Sequence, residues 1–236
     1  MHVEMHMAQR ELFNEFKTMA KADFEAGKPI DQSLLMAVID MAQNCATPFL
    51  GDDQMGDFYY MSPLIHYVFG MFVVCCLVSC IIFCVYLPLN LTLLLLLLLL
   101  TTTGVCEPAR DFMHTFIWEE GTGDRGADNI ITCVYMWLVA KGIVPANAEE
   151  LATWSKPKLK HLVIGADNCT GQNKNKAMIK FCMWLHESGY IDKVTLLFLI
   201  KGHTKNDCDR KFNELKMKQN KKNICGMQNL WICCPH

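Results

Sequence analysis

The sequence predicts an α/β domain on one mixed sheet, three antiparallel strands and then parallel ones, with helices on both faces. Three observations carry this. Strand-like runs alternate with helical periods along most of the 236 residues. "KLKHLVIGAD" and "KVTLLFLIKG" are continuous apolar runs, the pattern of parallel strands buried on both faces of a sheet. "DFYYMSPLIHYVFG" and "FMHTFIWEEG" are aromatic and β-branched, which suits an antiparallel pair.

The elements follow in order. Residues 1–28 form an N-terminal helix, with Met5, Leu12, Phe13, Phe16 and Met19 at helical spacing and a stop at Gly27 before Pro29. "SLLMAVID" is the first strand, a buried one closed by Asp40, and the aromatic pair supplies the second and third. "GADNIITCVYMWLVAKG" is a helix whose Ile130, Val134, Trp137 and Leu138 share one side. "KLKHLVIGAD" ends in Asp167, and "NKNKAMIKFCMWLHESG" is the helix after it. "KVTLLFLIKG" is the last strand, and "KNDCDRKFNELKMKQNKK" a final helix with Cys208, Phe212 and Leu215 inward. The domain so defined covers 33–70 and 105–222, interrupted by an apolar insertion at 71–104 between its second and third strands and followed by a truncated tail at 223–236. This succession is similar to the ribonuclease H-like fold, an analogy that carries no function by itself.

Charge is divided unevenly. Residues 156–236 carry 15 Lys/Arg against 6 Asp/Glu, and residues 1–155 carry 7 against 18. A basic C-terminal third suits a polyanionic partner or a solvated basic face. The 13 cysteines are odd in number and irregularly spaced, which fits free thiols in a reducing compartment better than a disulfide scaffold. Cys225, Cys233, Cys234 and His236 lack the spacing of a zinc site. The N-terminus has early acids and no short apolar core, so it does not read as a signal peptide.

The strand ends carry the chemistry. Asp40 and Asp167 close neighbouring strands, and two carboxylates ~4 Å apart repel by on the order of 4 kcal/mol at an effective dielectric near 20. A hard cation, Mg²⁺ or Mn²⁺, would relieve that. "KGHTKNDCDRKF" offers a third acid, Asp207 or Asp209, flanking Cys208 on opposite sides. Each acid alone also reads as a turn or capping residue.

"VIDMAQN", "GDFYYMSPLIHYVFG", "IWEEGTGDRGADNI", "ADNCTGQNKNK" and "KGHTKNDCDRKF" resemble, in order, the motifs of an uncharacterised transposon-derived eukaryotic domain family. That family is regarded as a relative of DDE transposases with a ribonuclease H-like fold. The resemblance implies Asp40, Asp167 and Asp209 as an acidic metal-binding triad, with Asp207 the alternative third member, and His203 beside them. It implies Mg²⁺ or Mn²⁺ as cofactor, DNA as partner, phosphodiester transfer or hydrolysis as the reaction, and a nuclear location. Asn168, Gln172, Asn173 and Asn175, at the start of a helix, would then hold a phosphate. Lys174, Lys176, Lys205 and Arg210 would supply sequence-independent attraction. No zinc finger or helix-turn-helix is recognisable in the chain, so a fragment or relic is expected, and a non-catalytic nucleic-acid or protein-binding remnant is the rival reading.

The loudest feature is the apolar insertion. No Asp, Glu, Lys or Arg lies between Asp57 and Glu107, and Phe69 to Leu87 gives 19 residues, enough to cross a bilayer. Taken at face value, residues 69–100 make a single-pass membrane protein of unknown role. A span there would separate two strands that should form a hairpin. Met71–Gly104 reads instead as a translated retained intron, with a Leu run where a pyrimidine tract would lie. Its excision leaves "YVFGVCEPARDFMHTFIW", a strand, a turn and a strand.

Overall fold

The computed structural model describes residues 2–47, 62–74 and 112–199, and with them the helical residues Cys208, Asp209, Phe212, Asn213, Lys216 and Met217. In chain order the elements are α1 (His2–Glu25), β1 (Leu34–Met41), β2 (Cys45–Thr47), β3 (Leu64–Val74), β4 (Phe112–Glu119), α2 (Ala127–Ala140), α3 (Ala148–Ala152), β5 (Leu159–Asp167), α4 (Lys176–Glu187) and β6 (Ile191–Leu199).

The strands form one mixed sheet. β3 pairs antiparallel with β1 on one edge and with β4 on the other, while β5 lies parallel to β1 and β6 parallel to β5. The spatial order is therefore β4-β3-β1-β5-β6. The short β2 also pairs with β3, in a register one residue out of step with that of β1. Ala42 N donates to Val68 O at 2.8 Å, so β2 continues β1 past a bulge at the strand's carboxyl end.

β1 is central because its sequence suits no other place. Met36, Ala37, Val38 and Ile39 are each at most 1% exposed, buried on both faces. One face carries the larger core, where Ala37, Ile39, Phe69, Phe116 and Ile164 meet Ile130, Val134, Trp137 and Leu138 of α2 and Met178, Cys182 and Leu185 of α4. The other carries Met36, Val38 and Val163 under Phe13 of α1 and Cys208 of the C-terminal helix. Gly165 lets α1 approach, since a Cβ there would lie 3.1 Å from the Phe13 ring. Asp23 ties the end of α1 to the sheet, accepting from Leu34 N at 3.0 Å and pairing with Lys28. Burial opposes its charge, but the bonds from Lys28 and Leu34 N and the charges of Lys28 and Lys160 prevail and lower its pKa.

Several expectations change. Among the described side chains of α1 the buried ones are Phe13 and Ala20, with Phe16 and Phe24 packed beside them, whereas Leu12 and Met19 are 40% and 52% exposed and Met5 lies outside the described side chains. Helical spacing alone did not fix which of two overlapping apolar stripes faces the sheet. β6 is not buried on both faces, because it pairs only with β5 among the described residues and exposes Asp192 and Lys193. β2 and α3 were unforeseen, both being too short to show a period. β3 runs on through Val74, pairing Met71 with Ile39 and with His114, so the strand includes the first four residues of the apolar insertion.

The rest of that insertion, the tail at 223–236 and Leu215 lie outside the described residues. Among the described residues no helix is long and apolar enough to cross a membrane. The five described cysteines, Cys45, Cys133, Cys169, Cys182 and Cys208, are free thiols, and burial pushes Cys133 and Cys182 up to about 12.

Candidate functional site

Parallel pairing of β1 with β5 matches Ile39 to Ala166. One residue further on, Asp40 and Asp167 stand level at the carboxyl ends of adjacent strands, whose axes are ~4.8 Å apart. Side chains alternate along a strand, so Asp40 shares a face with Met36 and Val38, and Asp167 with Val163. Both carboxylates therefore emerge on the face covered by α1 and the C-terminal helix. Each is half-buried. Asp40 Oδ1 accepts from Met41 N at 2.8 Å.

Asp167 is held from its own loop. Asn173 Nδ2 donates to Asp167 Oδ1 at 2.5 Å, and Cys169 N approaches the same oxygen at 3.4 Å. The loop is wound around one carbonyl: Cys169 O accepts from Asn173 N and Lys174 N, both at 2.9 Å, and from Gln172 N at 3.4 Å. Asn175 then caps α4, its Oδ1 accepting from Met178 N at 3.0 Å and its Nδ2 donating to Gln172 O at 3.0 Å. Asn173 is 1% exposed, so its amide turns to Asp167 instead of outward to a phosphate. Its Oδ1 is buried with no hydrogen-bond donor among the described residues.

The C-terminal helix reaches the same row of the sheet. Cys208 Sγ donates to Val38 O at 3.2 Å and lies 3.7 Å from Gly70 O, and Gly70 is the ladder partner of Asp40. A Cβ on Gly70 would sit 2.7 Å from the Phe212 ring, so a glycine is what admits that ring. Asp209 follows Cys208 and is exposed. From the opposite side, Arg125 Nη2 donates to Ala42 O at 3.2 Å, which fastens the loop before α2 to the bulge beyond Asp40. Across the sheet from Asp40 and Gly70, Thr115 is 3% exposed and its hydroxyl has no partner among the described residues.

The structure thus brings Asp40 and Asp167 together, with the helix of Asp209 over the same face. Among the described residues no three His, Cys, Asp or Glu side chains gather closely enough to hold one ion. The donor chemistry nevertheless fits a hard cation: two carboxylates at the ends of adjacent strands, with the described hydrogen bonds to Asp167 reaching its Oδ1. Asn168, Lys174 and Lys176 are exposed and Gln172 is half-buried. Lys174 Nζ lies 5.7 Å from the centre of the Phe198 ring. His203, Lys205, Asp207 and Arg210 lie outside the described residues.

Sequence reasoning gave no role to Arg125, Thr115 or Gly70, nor to Cys208 beyond an inward position. Only Arg125 left a signal, as the single cation in the Gly-rich "GTGDRGADN". The inward-turned role of Asn173 left none, because a polar loop reads the same whether its amides face in or out.

No curated protein and no solved structure matches this chain. A family profile described as a domain of unknown function, DUF7869, matches residues 145–235, the segment that holds β5, Asp167 with its asparagine loop, α4, β6 and the C-terminal helix.

Proposed function

We propose that this chain is a ribonuclease H-like domain related to DDE transposases, acting on DNA by metal-dependent phosphodiester transfer or hydrolysis. The observation that carries the reading is the pair Asp40 and Asp167, level on adjacent parallel strands and on one face. The meander of β1, β3 and β4, followed by β5 and β6 parallel to β1, supports it as the succession of that fold. A bound Mg²⁺ or Mn²⁺ would activate a water or a 3′-hydroxyl and stabilise the leaving oxygen of an in-line displacement. Asp40 and Asp167 would hold it, with Asp209 approaching from the helix above. Lys174 and Lys176, exposed beside the acids, would attract the phosphate backbone without reading sequence.

The test is nicking of supercoiled DNA by the purified protein with Mg²⁺ or Mn²⁺. Activity that depends on the metal and disappears in Asp167→Ala supports the reading. A protein that neither binds metal nor nicks supports a second one, a non-catalytic nucleic-acid or protein-binding remnant.

A further inference from the structure

We infer that Asn173 is a positioning residue for the cation site: it fixes one oxygen of Asp167 and leaves the other for the ion. The inference rests on the metal-dependent reading above. Its grounds are separate from the acids themselves. Asn173 is 1% exposed in a loop wound on Cys169 O, so the amide has little freedom to turn. Its Nδ2 is spent on Asp167 Oδ1. Turning the amide over would set its oxygen against the carboxylate, so the Nδ2 must face Asp167 and the Oδ1 must point away. That Oδ1 has no hydrogen-bond partner among the described residues, so the bond to Asp167 is what orients the amide there. Residues that orient a ligand in this way typically change metal affinity ~10 to 100-fold.

The test is a Mg²⁺ titration of the full chain, followed by the side-chain amide NMR signal of Asn173 and by calorimetry. The Asn173 signal is expected to move with the same midpoint as the heat of binding. In Asn173→Ala, the Mg²⁺ affinity is expected to fall ~10-fold or more while the far-UV circular dichroism stays native. If wild type binds Mg²⁺ but the Asn173 signal stays still, or a folded Asn173→Ala binds equally well, the positioning role is overturned and the metal site stands. If wild type shows no Mg²⁺-dependent heat at all, the metal site itself is wrong and this role falls with it. The NMR arm needs only the wild-type protein, so a variant that fails to fold does not block the answer.

Discussion

Asp40 and Asp167 end adjacent parallel strands one step beyond the Ile39–Ala166 pair, two like charges set side by side on the same face. A cation held between them would bind the folded chain and not the unfolded one, so Mg²⁺ is expected to raise the stability of the wild-type protein and to leave that of Asp40→Asn unchanged. Urea midpoints with Mg²⁺ and with EDTA measure it, and an equal response of the two proteins would show that Asp40 does not hold the ion.

Gly70 admits the Phe212 ring, with Met113 Sδ also only 3.0 Å from where a Cβ would stand. Gly70→Val is expected to displace the C-terminal helix and to cost ~1 to 3 kcal/mol, the range for an overpacked core. Limited proteolysis should then cut first near Cys208. Cleavage unchanged from wild type would mean that the helix is held elsewhere.

Asn175 was foreseen at a phosphate, but its side chain caps α4. Asn175→Ala should lower stability by ~1 kcal/mol in the absence of any nucleic acid. Asn175→Asp, which keeps the capping oxygen, should restore most of it. Equal stability of all three proteins would count against the cap.

Two histidines set a pH dependence. Burial lowers His66, against the pull of Glu119 and Glu120, and burial with the nearby Lys193 charge lowers His161. Unfolded, both take up a proton near pH 6.5. Folded, they resist until the pH is lower, so below 6.5 the unfolded chain binds more protons. Stability contributed by these groups is complete above about pH 6.5 and declines as the pH falls through their folded values. Urea midpoints at pH 7.5 and 5.5 should show the drop, and His66→Gln with His161→Gln should flatten it. An equally steep drop in the double variant would assign it to other groups.

The register of β3 with β4 bears on the apolar insertion. Removing the 34 residues Met71–Gly104 places Val105, Cys106 and Glu107 where Met71, Phe72 and Val73 pair now. The Val73–Phe112 pair becomes Glu107–Phe112, closed by the four residues 108–111, a common hairpin loop length. The shortened chain is expected to fold cooperatively, with a Tm at least that of the full chain. Aggregation of the shortened chain, or transcripts that all retain the 34 codons, would remove the intron reading.

The strands with strong patterns were legible. β1, β4, β5, α2 and α4 follow from runs and periods long enough to select one geometry, and the acids at the ends of β1 and β5 were visible as residues. The stripe of α1 that packs, the half-exposed β6 and the three-residue β2 were not, because each depends on what lies beside it. Local sequence cannot show a neighbour.

The sequence by itself determined the α/β class, most elements and the identity of the candidate acids, because hydrophobic period and chain punctuation are local properties. Tertiary structure decided that β1 lies between β3 and β5, which makes Asp40 and Asp167 neighbours although 126 residues separate them. It also turned Asn173 inward onto Asp167 and seated Phe212 on Gly70. These are outcomes of strand order, register and close packing, and such long-range contacts are settled only when the whole sheet closes.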